Sequence, residues 1–138
     1  MPDSINILVV EDDEIDVEAV RRGLKKQNMA NPLFHAHHGV AALDILRGKN
    51  IALKISDPCV MLIDINMPQM NGLEFLREVR SDAGLKKNIA FILTTSARDA
   101  DIETAYDLNA AGYFLKQDIN RLMAMLSSYR EINKFSGK

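Results

Sequence analysis

Short apolar runs alternate along this chain with stretches whose apolar residues recur at helical spacing. Residues 5–10 are mostly β-branched and almost wholly apolar, which is typical of a strand buried on both faces. In residues 14–27 the apolar side chains Val17, Val20 and Leu24 follow one another at intervals of three and four residues, as on an amphipathic helix. This alternation restricts the chain to folds built from strand–helix units.

The same pattern repeats along the chain and predicts five strands and five helices. The strands are expected at residues 5–10, 32–37, 59–63, 89–93 and 112–115, and the helices at residues 14–27, 39–46, 72–80, 99–109 and 118–134. Strands that alternate with helices form a parallel sheet with right-handed crossovers, so helices cover both of its faces. The predicted fold is α/β, a doubly wound five-stranded parallel sheet of strand order 2-1-3-4-5.

Length and composition narrow the class of protein. The chain has 138 residues, enough for one domain with its own core, and a net charge of −2 from 17 basic and 19 acidic residues. This balance does not supply the basic surface of a nucleic-acid-binding domain. The single cysteine, Cys59, excludes an internal disulfide, and no apolar run approaches the ~20 residues of a membrane span. We expect a soluble cytoplasmic protein with one domain over residues 1–138.

Acidic residues follow two strands that the predicted order makes neighbours. Glu11, Asp12, Asp13 and Glu14 follow the first strand, and Asp64 follows the third. Ligands of such sheets bind outside the carboxyl ends of the strands, where the strand order reverses. The sequence therefore predicts that these carboxylates converge on one site.

Carboxylates that converge at this edge indicate a divalent metal ion and phosphoryl transfer. Without a cation the acids would repel one another, and at least one would have to take a proton. Mg²⁺ prefers about six oxygen ligands, typically one or two carboxylates, waters and a substrate phosphate. A carboxylate nucleophile can form an acyl phosphate, while the metal neutralises charge on the transferring group. We expect Mg²⁺ as the cofactor and Asp64 as the nucleophile.

Two further side chains are predicted to reach the same edge. Thr94 closes the fourth strand and Lys116 closes the fifth. A phosphoryl group on Asp64 presents three oxygens, for which Mg²⁺, the Lys116 ammonium and the Thr94 hydroxyl are suitable partners. Each residue also has an ordinary explanation, as a helix cap, a turn residue, a strand-end hydroxyl or a solvated lysine. Their common placement at one edge favours a functional site.

These motifs resemble the receiver domain of two-component response regulators over nearly the whole chain. The resemblance is carried by residues 7–12, 61–68, 71–72 and 112–116, and most specifically by the D-x-x-M-P-x-x-x-G element at residues 64–72. It implies the flavodoxin-like receiver fold with five helices and a Mg²⁺-dependent phosphorylation switch. The implied phosphoryl donor is a sensor histidine kinase or a phosphotransfer protein.

The resemblance also implies a metal-binding set. Asp64 is the phospho-acceptor, Asp12 binds the metal directly and Glu11 often binds it through water. The carbonyl oxygen of Asn66 completes the protein's ligands. Four acids in a row allow either Glu11/Asp12 or Asp12/Asp13 as the acidic pair. We favour the first pair, because it lies nearest the end of the apolar strand.

By the same resemblance, Lys116, Thr94 and Tyr113 respond to the phosphoryl group. The Lys116 ammonium and the Thr94 hydroxyl contact it, and the Tyr113 ring changes rotamer when the hydroxyl moves toward the phosphate. Tyr113 also fits an ordinary half-buried strand tyrosine, because aromatic residues favour strands.

Two positions depart from the family pattern. Gln117 stands where the family commonly has a proline in a cis linkage, and a cis bond before glutamine would cost about 2.5–4 kcal/mol. The loop after Lys116 is therefore expected to differ in shape. Thr95 stands where alanine or glycine is usual, and its β-branched side chain is expected to narrow access to the phosphoryl group and alter dephosphorylation.

The sequence ends at Lys138, just after the last helix, and we expect no output domain. Together with the stretch at residues 48–58 and the Thr-Thr-Ser run at 94–96, this resembles single-domain regulators associated with phytochrome-type sensor histidine kinases. This resemblance also implies a possible homodimer that pairs through the face of the fourth and fifth helices. Met123 and Met125 of the last helix either suit such an adaptable interface or pack within the molecule.

Three other functions fit parts of the pattern. A flavin-binding module would use the same switch point, but four acids occupy the place of its phosphate-binding loop. A Mg²⁺-dependent phosphatase would usually need a second acid just beyond the nucleophile, where this chain has Ile65 and Asn66. A pseudo-receiver adaptor would not need the intact acid set. We therefore expect a switch that catalyses only its own phosphorylation and dephosphorylation.

His35 and His37 lie two residues apart on one face of the second predicted strand, and His38 follows them. Such a pair can bind a transition metal. No nearby acid or cysteine is evident in the sequence as a further ligand, so the pattern favours an ordinary explanation in which His37 and His38 face solvent.

Overall fold

The computed structural model describes residues 5–50, 52–55 and 58–135, with side chains as far as residue 128. Within them the strands are β1 (Ile7–Val10), β2 (Leu33–Ala36), β3 (Val60–Ile63), β4 (Ile89–Thr94) and β5 (Gly112–Leu115). The helices are α1 (Glu14–Lys26), α2 (Gly39–Leu46), α3 (Gly72–Ser81), α4 (Asp99–Asp107) and α5 (Ile119–Phe135). Every predicted strand and helix is present, with ends at most two residues from those expected.

The strands form one parallel sheet in the order β2-β1-β3-β4-β5, which confirms the predicted topology. β1 lies between β2 and β3, and its Val10 is level with Ala36 of β2 and with Ile63 of β3. Across the sheet, Thr94 of β4 is level with Leu115 of β5. Because the pairing is parallel and in register, all five strands end at one edge.

Two apolar layers attach the helices to the two faces of the sheet. Neighbouring strand residues point to opposite faces, and accordingly Val9 belongs to one buried cluster while Leu8 and Val10 belong to the other. The first cluster includes residues of α1 and α5, and the second includes residues of α2, α3 and α4. β1 and β3 are covered on both faces, which is why both are continuous apolar runs.

Met123 packs between α5 and α1. Its side chain is buried, and a Cβ added at Gly23 of α1 would lie 2.8 Å from Met123 Cγ. The absence of a side chain at Gly23 therefore makes room for Met123. Of the two alternatives for this methionine, the structure selects packing within the molecule, whereas Met125 is only half-buried beside the same cluster.

The ends of the helices follow from local backbone chemistry. α1 begins at its N-cap Asp13, whose carboxylate accepts a hydrogen bond from the Ile15 N–H at 2.8 Å. α4 ends at Asp107, two residues before the predicted end, because Asn109 adopts a left-handed conformation with φ of 60°. After β5, a single 3-10 turn at Lys116–Asp118 leads into α5, with Gln117 exposed in its middle.

Parts of the stretch at 48–58 lie outside the described residues, namely residues 51, 56 and 57. Cys59, at its end, is a buried free thiol. Among the described residues, no helix has both the length and the apolar character that a membrane span requires.

Candidate functional site

Asp64 stands at the end of β3, in the middle of the sheet edge. Its backbone N–H donates to the Val10 carbonyl at 3.0 Å, so the chain leaves β3 beside the end of β1. The Asp64 side chain is only 4% exposed. Its Oδ1 accepts a hydrogen bond from the Asn66 N–H at 3.3 Å. A buried carboxylate is therefore held where the strand order reverses.

The acids after β1 have two different roles, in an acidic cluster and in the cap of α1. One carboxylate oxygen from each of Glu11, Asp12 and Asp64 lies within 4.8 Å of the others. Glu11 is buried and Asp12 is exposed, so the cluster opens to solvent on the Asp12 side. Asp13 instead caps α1 through its carboxylate. The cluster contains the acidic pair that lies nearest the end of β1.

Lys116, directly after β5, brings a positive charge to these acids. Its Nζ lies 2.8 Å from Glu11 Oε1 and 3.3 Å from Asp64 Oδ2. The same ammonium lies 2.6 Å from Oδ2 of Asp16, in the first turn of α1. The Lys116 side chain is 19% exposed, so these ion pairs are partly shielded from solvent and from its screening. One cation is thus shared among three carboxylates.

The charges in the cluster perturb one another. Burial raises the pKa of Glu11 to about 7; the hydrogen bond from Lys116 opposes this rise, and the negative charge of Asp64 adds to it. Burial alone would lower the pKa of Lys116, but its hydrogen bonds to Asp16 and Glu11 outweigh burial and raise that pKa above its usual value. The lysine therefore stays charged, while Glu11 holds a proton more readily than an exposed glutamate does. A divalent cation would supply the positive charge that Glu11 lacks.

Ser96 joins the two residues predicted to act as the switch. Thr94 is fully buried, and its Oγ1 accepts a hydrogen bond from the Ser96 N–H at 3.3 Å. The hydroxyl of half-buried Tyr113 donates to the Ser96 carbonyl at 2.8 Å. Burial raises the pKa of Tyr113, which keeps the phenol protonated as a donor. Ser96 Oγ also donates to Oδ2 of Asp101 at 2.6 Å, which connects this group to α4.

Asn66 and Thr95 lie at the exposed rim of the acidic cluster. The Asn66 side-chain amide donates to Thr95 Oγ1 at 3.3 Å. The threonine that departs from the family pattern is therefore hydrogen-bonded to the residue expected to supply a metal ligand.

Comparison with known proteins identifies the family. Residues 7–127 match the response regulator receiver domain. The chain belongs to this family. Receiver domains are phosphorylation-dependent signalling modules of two-component systems, and they bind Mg²⁺ at an acidic pocket. They act with histidine kinases or phosphotransfer proteins.

Two relatives, Rcp1 and RcpA, show how similar the chain is to other receiver domains. Response regulator Rcp1 of Synechocystis sp. is 28% identical over 127 residues, which cover 89% of this chain and 86% of Rcp1. The crystal structure of Mn²⁺-bound Rcp1 matches with a TM-score of 0.78 and 27% identity, over 91% of this chain and 93% of the other. The phosphorylated cyanobacterial phytochrome response regulator RcpA matches with a TM-score of 0.78 and 28% identity, over 93% and 92% of the two chains. This receiver domain is therefore similar to regulators linked to phytochromes.

Gly72 allows α3 of the receiver domain to start directly against the Asp64 backbone. A Cβ at this position would overlap the Asp64 carbonyl oxygen and lie 2.8 Å from Ile63 Cγ2. The Gly72 N–H donates to the Ile65 carbonyl at 3.0 Å, which closes the loop that carries Asn66. The glycine of the D-x-x-M-P-x-x-x-G element is thus required by a close backbone approach.

Two acids of α1 lie close to polar side chains of other strands and loops, and the sequence pattern predicted neither contact. Asp16 contacts Lys116, and Glu14 lies beside His35 and His37. The expectation that no acid lies near these histidines is therefore wrong. Asp16 precedes Val20 of the buried stripe by four residues, so a helical wheel would have placed it at the border of the buried face.

Proposed function

We propose that this receiver domain accepts a phosphoryl group on Asp64 from a sensor histidine kinase or a phosphotransfer protein, with Mg²⁺, and signals through phosphorylation-dependent protein contacts. The observation that carries the proposal is the buried Asp64 carboxylate, clustered with Glu11 and Asp12 and 3.3 Å from the Lys116 ammonium. A phosphate-independent adaptor would require neither the acids nor the lysine.

The proposed transfer occurs on the chain itself. A carboxylate oxygen of Asp64 attacks the phosphorus of a phosphohistidine on the donor. The new O–P bond forms as the P–N bond breaks, and the leaving imidazole takes up a proton. In the reverse direction of the switch, water attacks the phosphorus, the Asp64 O–P bond breaks, and inorganic phosphate leaves. The domain thus promotes its own phosphorylation and dephosphorylation and turns over no metabolite.

Glu11, Asp12, Asp64 and the carbonyl oxygen of Asn66 are the groups proposed to hold Mg²⁺. The donor set fits a hard divalent ion, because it consists of oxygens and the three carboxylates lie within 4.8 Å of one another. The raised pKa of Glu11 fits as well, since it reflects a buried carboxylate short of positive charge. When bound, Mg²⁺ neutralises charge on the transferring phosphoryl group. Lys116 adds a second positive charge at the same carboxylates.

Thr94, Ser96 and Tyr113 are proposed to convert the phosphoryl group into a conformational change. The Thr94 hydroxyl now accepts from the Ser96 N–H, and donation to a phosphoryl oxygen would reorient it. Ser96 would lose this contact while its carbonyl still receives the Tyr113 hydroxyl and its own hydroxyl contacts Asp101 of α4. The two states would therefore differ at the α4–β5 face, and a partner that binds one of them better would shift the equilibrium.

We also propose that the donor is a phytochrome-type sensor histidine kinase and that two copies pair through the face of α4 and α5. The donor assignment is supported by the similarity to RcpA, a phytochrome response regulator. A cytoplasmic location follows from this proposal, since the phosphoryl donor draws on cytoplasmic ATP.

The proposal is tested by intact mass after incubation with acetyl phosphate, with and without Mg²⁺. We expect one added phosphoryl group that requires Mg²⁺, is absent in Asp64→Asn and persists in the control Asp107→Asn, whose side chain is exposed at the end of α4. An adduct that survives in Asp64→Asn would place the phosphoryl group on another residue. No adduct on the wild-type chain under any of these conditions would contradict the proposed function.

A further inference from the structure

A second group of metal-ligating side chains lies beside the acidic cluster. One ligand atom from each of Glu14, His35 and His37 lies within 4.8 Å of the others. His37 Nδ1 is 3.8 Å from Glu14 Oε1, and the two imidazole rings are 4.3 Å apart between centroids. Glu14 and His37 are exposed, and His35 is half-buried. The group therefore combines one anchored side chain with two that can move.

The fold explains why these three residues meet. His35 belongs to β2 and His37 lies in the bend just after it, with the two rings 4.3 Å apart between centroids. β2 pairs with β1 in parallel, with His35 level with Val9, and α1 begins at Glu14 four residues after β1 ends. The first turn of α1 thus lies beside the end of β2. Asp13 fixes that turn by capping it.

His35 is oriented as a histidine ligand usually is. Its Nε2 lies 2.7 Å from the Glu11 carbonyl oxygen. A carbonyl can only accept, so Nε2 carries the proton and the neutral ring keeps its lone pair on Nδ1. Histidines that bind metals commonly donate their other N–H to a backbone carbonyl in this way, which fixes the tautomer and the ring. This contact is independent of the proximity of the three side chains, and it leaves Nδ1 of His35 as the nitrogen available to a ligand.

We propose that Glu14, His35 and His37 form a binding site for a divalent transition ion of the Zn²⁺ type, with water completing the coordination. Two imidazoles and one carboxylate are a common three-residue zinc set that leaves one position open. Imidazole nitrogen favours Zn²⁺ and its transition-metal neighbours, whereas Mg²⁺ prefers oxygen. The site would therefore differ in selectivity from the acidic cluster, although the Glu11 backbone and side chain connect the two.

Coordination would require the three ligand atoms to move closer together. Ligand atoms at about 2.0–2.1 Å from a tetrahedral ion lie roughly 3.3 Å apart. The observed 3.8 Å between His37 and Glu14 exceeds this by a few tenths of an ångström, and these side chains are 59% and 72% exposed. The ligand atoms of all three residues lie within 4.8 Å of one another, so shifts of up to about 1.5 Å would bring them to coordinating separation.

The test is a calorimetric titration of the full chain, without a histidine tag, with ZnCl₂ in the presence of excess Mg²⁺ to fill the acidic cluster. We expect one Zn²⁺ per chain, with an affinity at least tenfold weaker in His37→Ala and in Glu14→Gln. The matched control is His38→Asn, which removes a neighbouring histidine but keeps a residue that can cap α2, where His38 now accepts from the Ala41 N–H. This control should bind as the wild type does.

A second readout is the ¹⁵N shift of the imidazole nitrogens. Zn²⁺ should move Nδ1 of His35 and a nitrogen of His37, and leave His38 unchanged. Equal Zn²⁺ affinity in His37→Ala, or an equal loss in His38→Asn, would overturn the site. So would binding that Asp64→Asn abolishes and His37→Ala does not, because Zn²⁺ would then occupy the acidic cluster.

Discussion

Lys116 Nζ lies 2.6 Å from Asp16 Oδ2, although the two residues are 100 positions apart in the chain. The contact joins the end of β5 to the first turn of α1, across the edge where Asp64 is buried. The same ammonium is 3.3 Å from Asp64. A phosphoryl group on Asp64 would therefore compete with Asp16 for the lysine. We expect Asp16 to position Lys116 in the unphosphorylated state.

Replacing Asp16 should favour the phosphorylated state. Asp16→Asn removes the competing charge and leaves Lys116 free to contact the phosphoryl group. The ion pair is partly exposed and contributes about 1 kcal/mol or less, which corresponds to a two- to roughly fivefold gain in affinity for a phosphoryl mimic such as beryllofluoride with Mg²⁺. Asp16→Glu, which keeps the charge, is the control. A weaker affinity in Asp16→Asn would mean that Asp16 assists Lys116 and does not compete for it.

Mg²⁺ affinity should depend on pH through Glu11. Its pKa is raised from 4.5 to about 7 in the folded state, so the folded chain binds this proton more tightly than the unfolded chain does. Without metal, this tighter proton binding therefore stabilises the folded chain at low pH. The stabilisation is lost as the pH rises from 4.5 to about 7.

Mg²⁺ must displace the same proton. Its apparent affinity should rise by up to about tenfold per pH unit below pH 7 and level off above it. Titrations of Mg²⁺ at several pH values measure this slope, and Glu11→Gln should bind more weakly but with a flatter profile. An unchanged slope in Glu11→Gln would assign the proton to another group.

Thr95 should slow loss of the phosphoryl group. Its side chain stands at the exposed rim of the cluster and accepts a hydrogen bond from the Asn66 amide. Thr95→Ala opens this rim to water and should shorten the half-life of the phosphorylated form. The half-life is measured as the decay of the mass adduct. Thr95→Ser keeps the hydroxyl and removes only the methyl group, so it separates bulk from hydrogen bonding. Equal half-lives in all three chains would contradict the role of Thr95.

Gly72→Ala should disturb the site through the backbone. The added Cβ would overlap the Asp64 carbonyl, so either α3 or the β3 end must move. Insertions into packed regions typically cost about 1–3 kcal/mol, and this one meets rigid backbone, so we expect the upper end of that range or more in urea unfolding. Gly84→Ala is the control, because its Cβ would meet only Asp82 Oδ1 at 3.4 Å. If the two variants lost similar amounts of unfolding free energy, the close backbone approach at Gly72 would not explain the effect.

The fold could be predicted from the sequence because each strand and each helix has its own pattern of apolar residues. β1 and β3 are buried on both faces, so they read as continuous apolar runs, and the stripe of Val17, Val20 and Leu24 reads as one helix face. The observed ends differ from the expected ones by at most two residues, and α4 ends early where Asn109 adopts a left-handed conformation. Parallel topology then placed the residues after Val10 and Ile63 side by side.

The chain's own sequence therefore determined which strands and helices form, the order of the sheet and the edge at which Asp64, Thr94 and Lys116 collect. Only the tertiary structure decided that Lys116 pairs with Asp16, that Glu14 approaches His35 and His37, and that Met123 packs against Gly23. Periodicity specifies which face of a strand or helix is buried, but not which side chains on different helices and strands meet. Those contacts depend on the packing of the helices against the sheet and on side-chain rotamers, which are set by residues distant in the sequence.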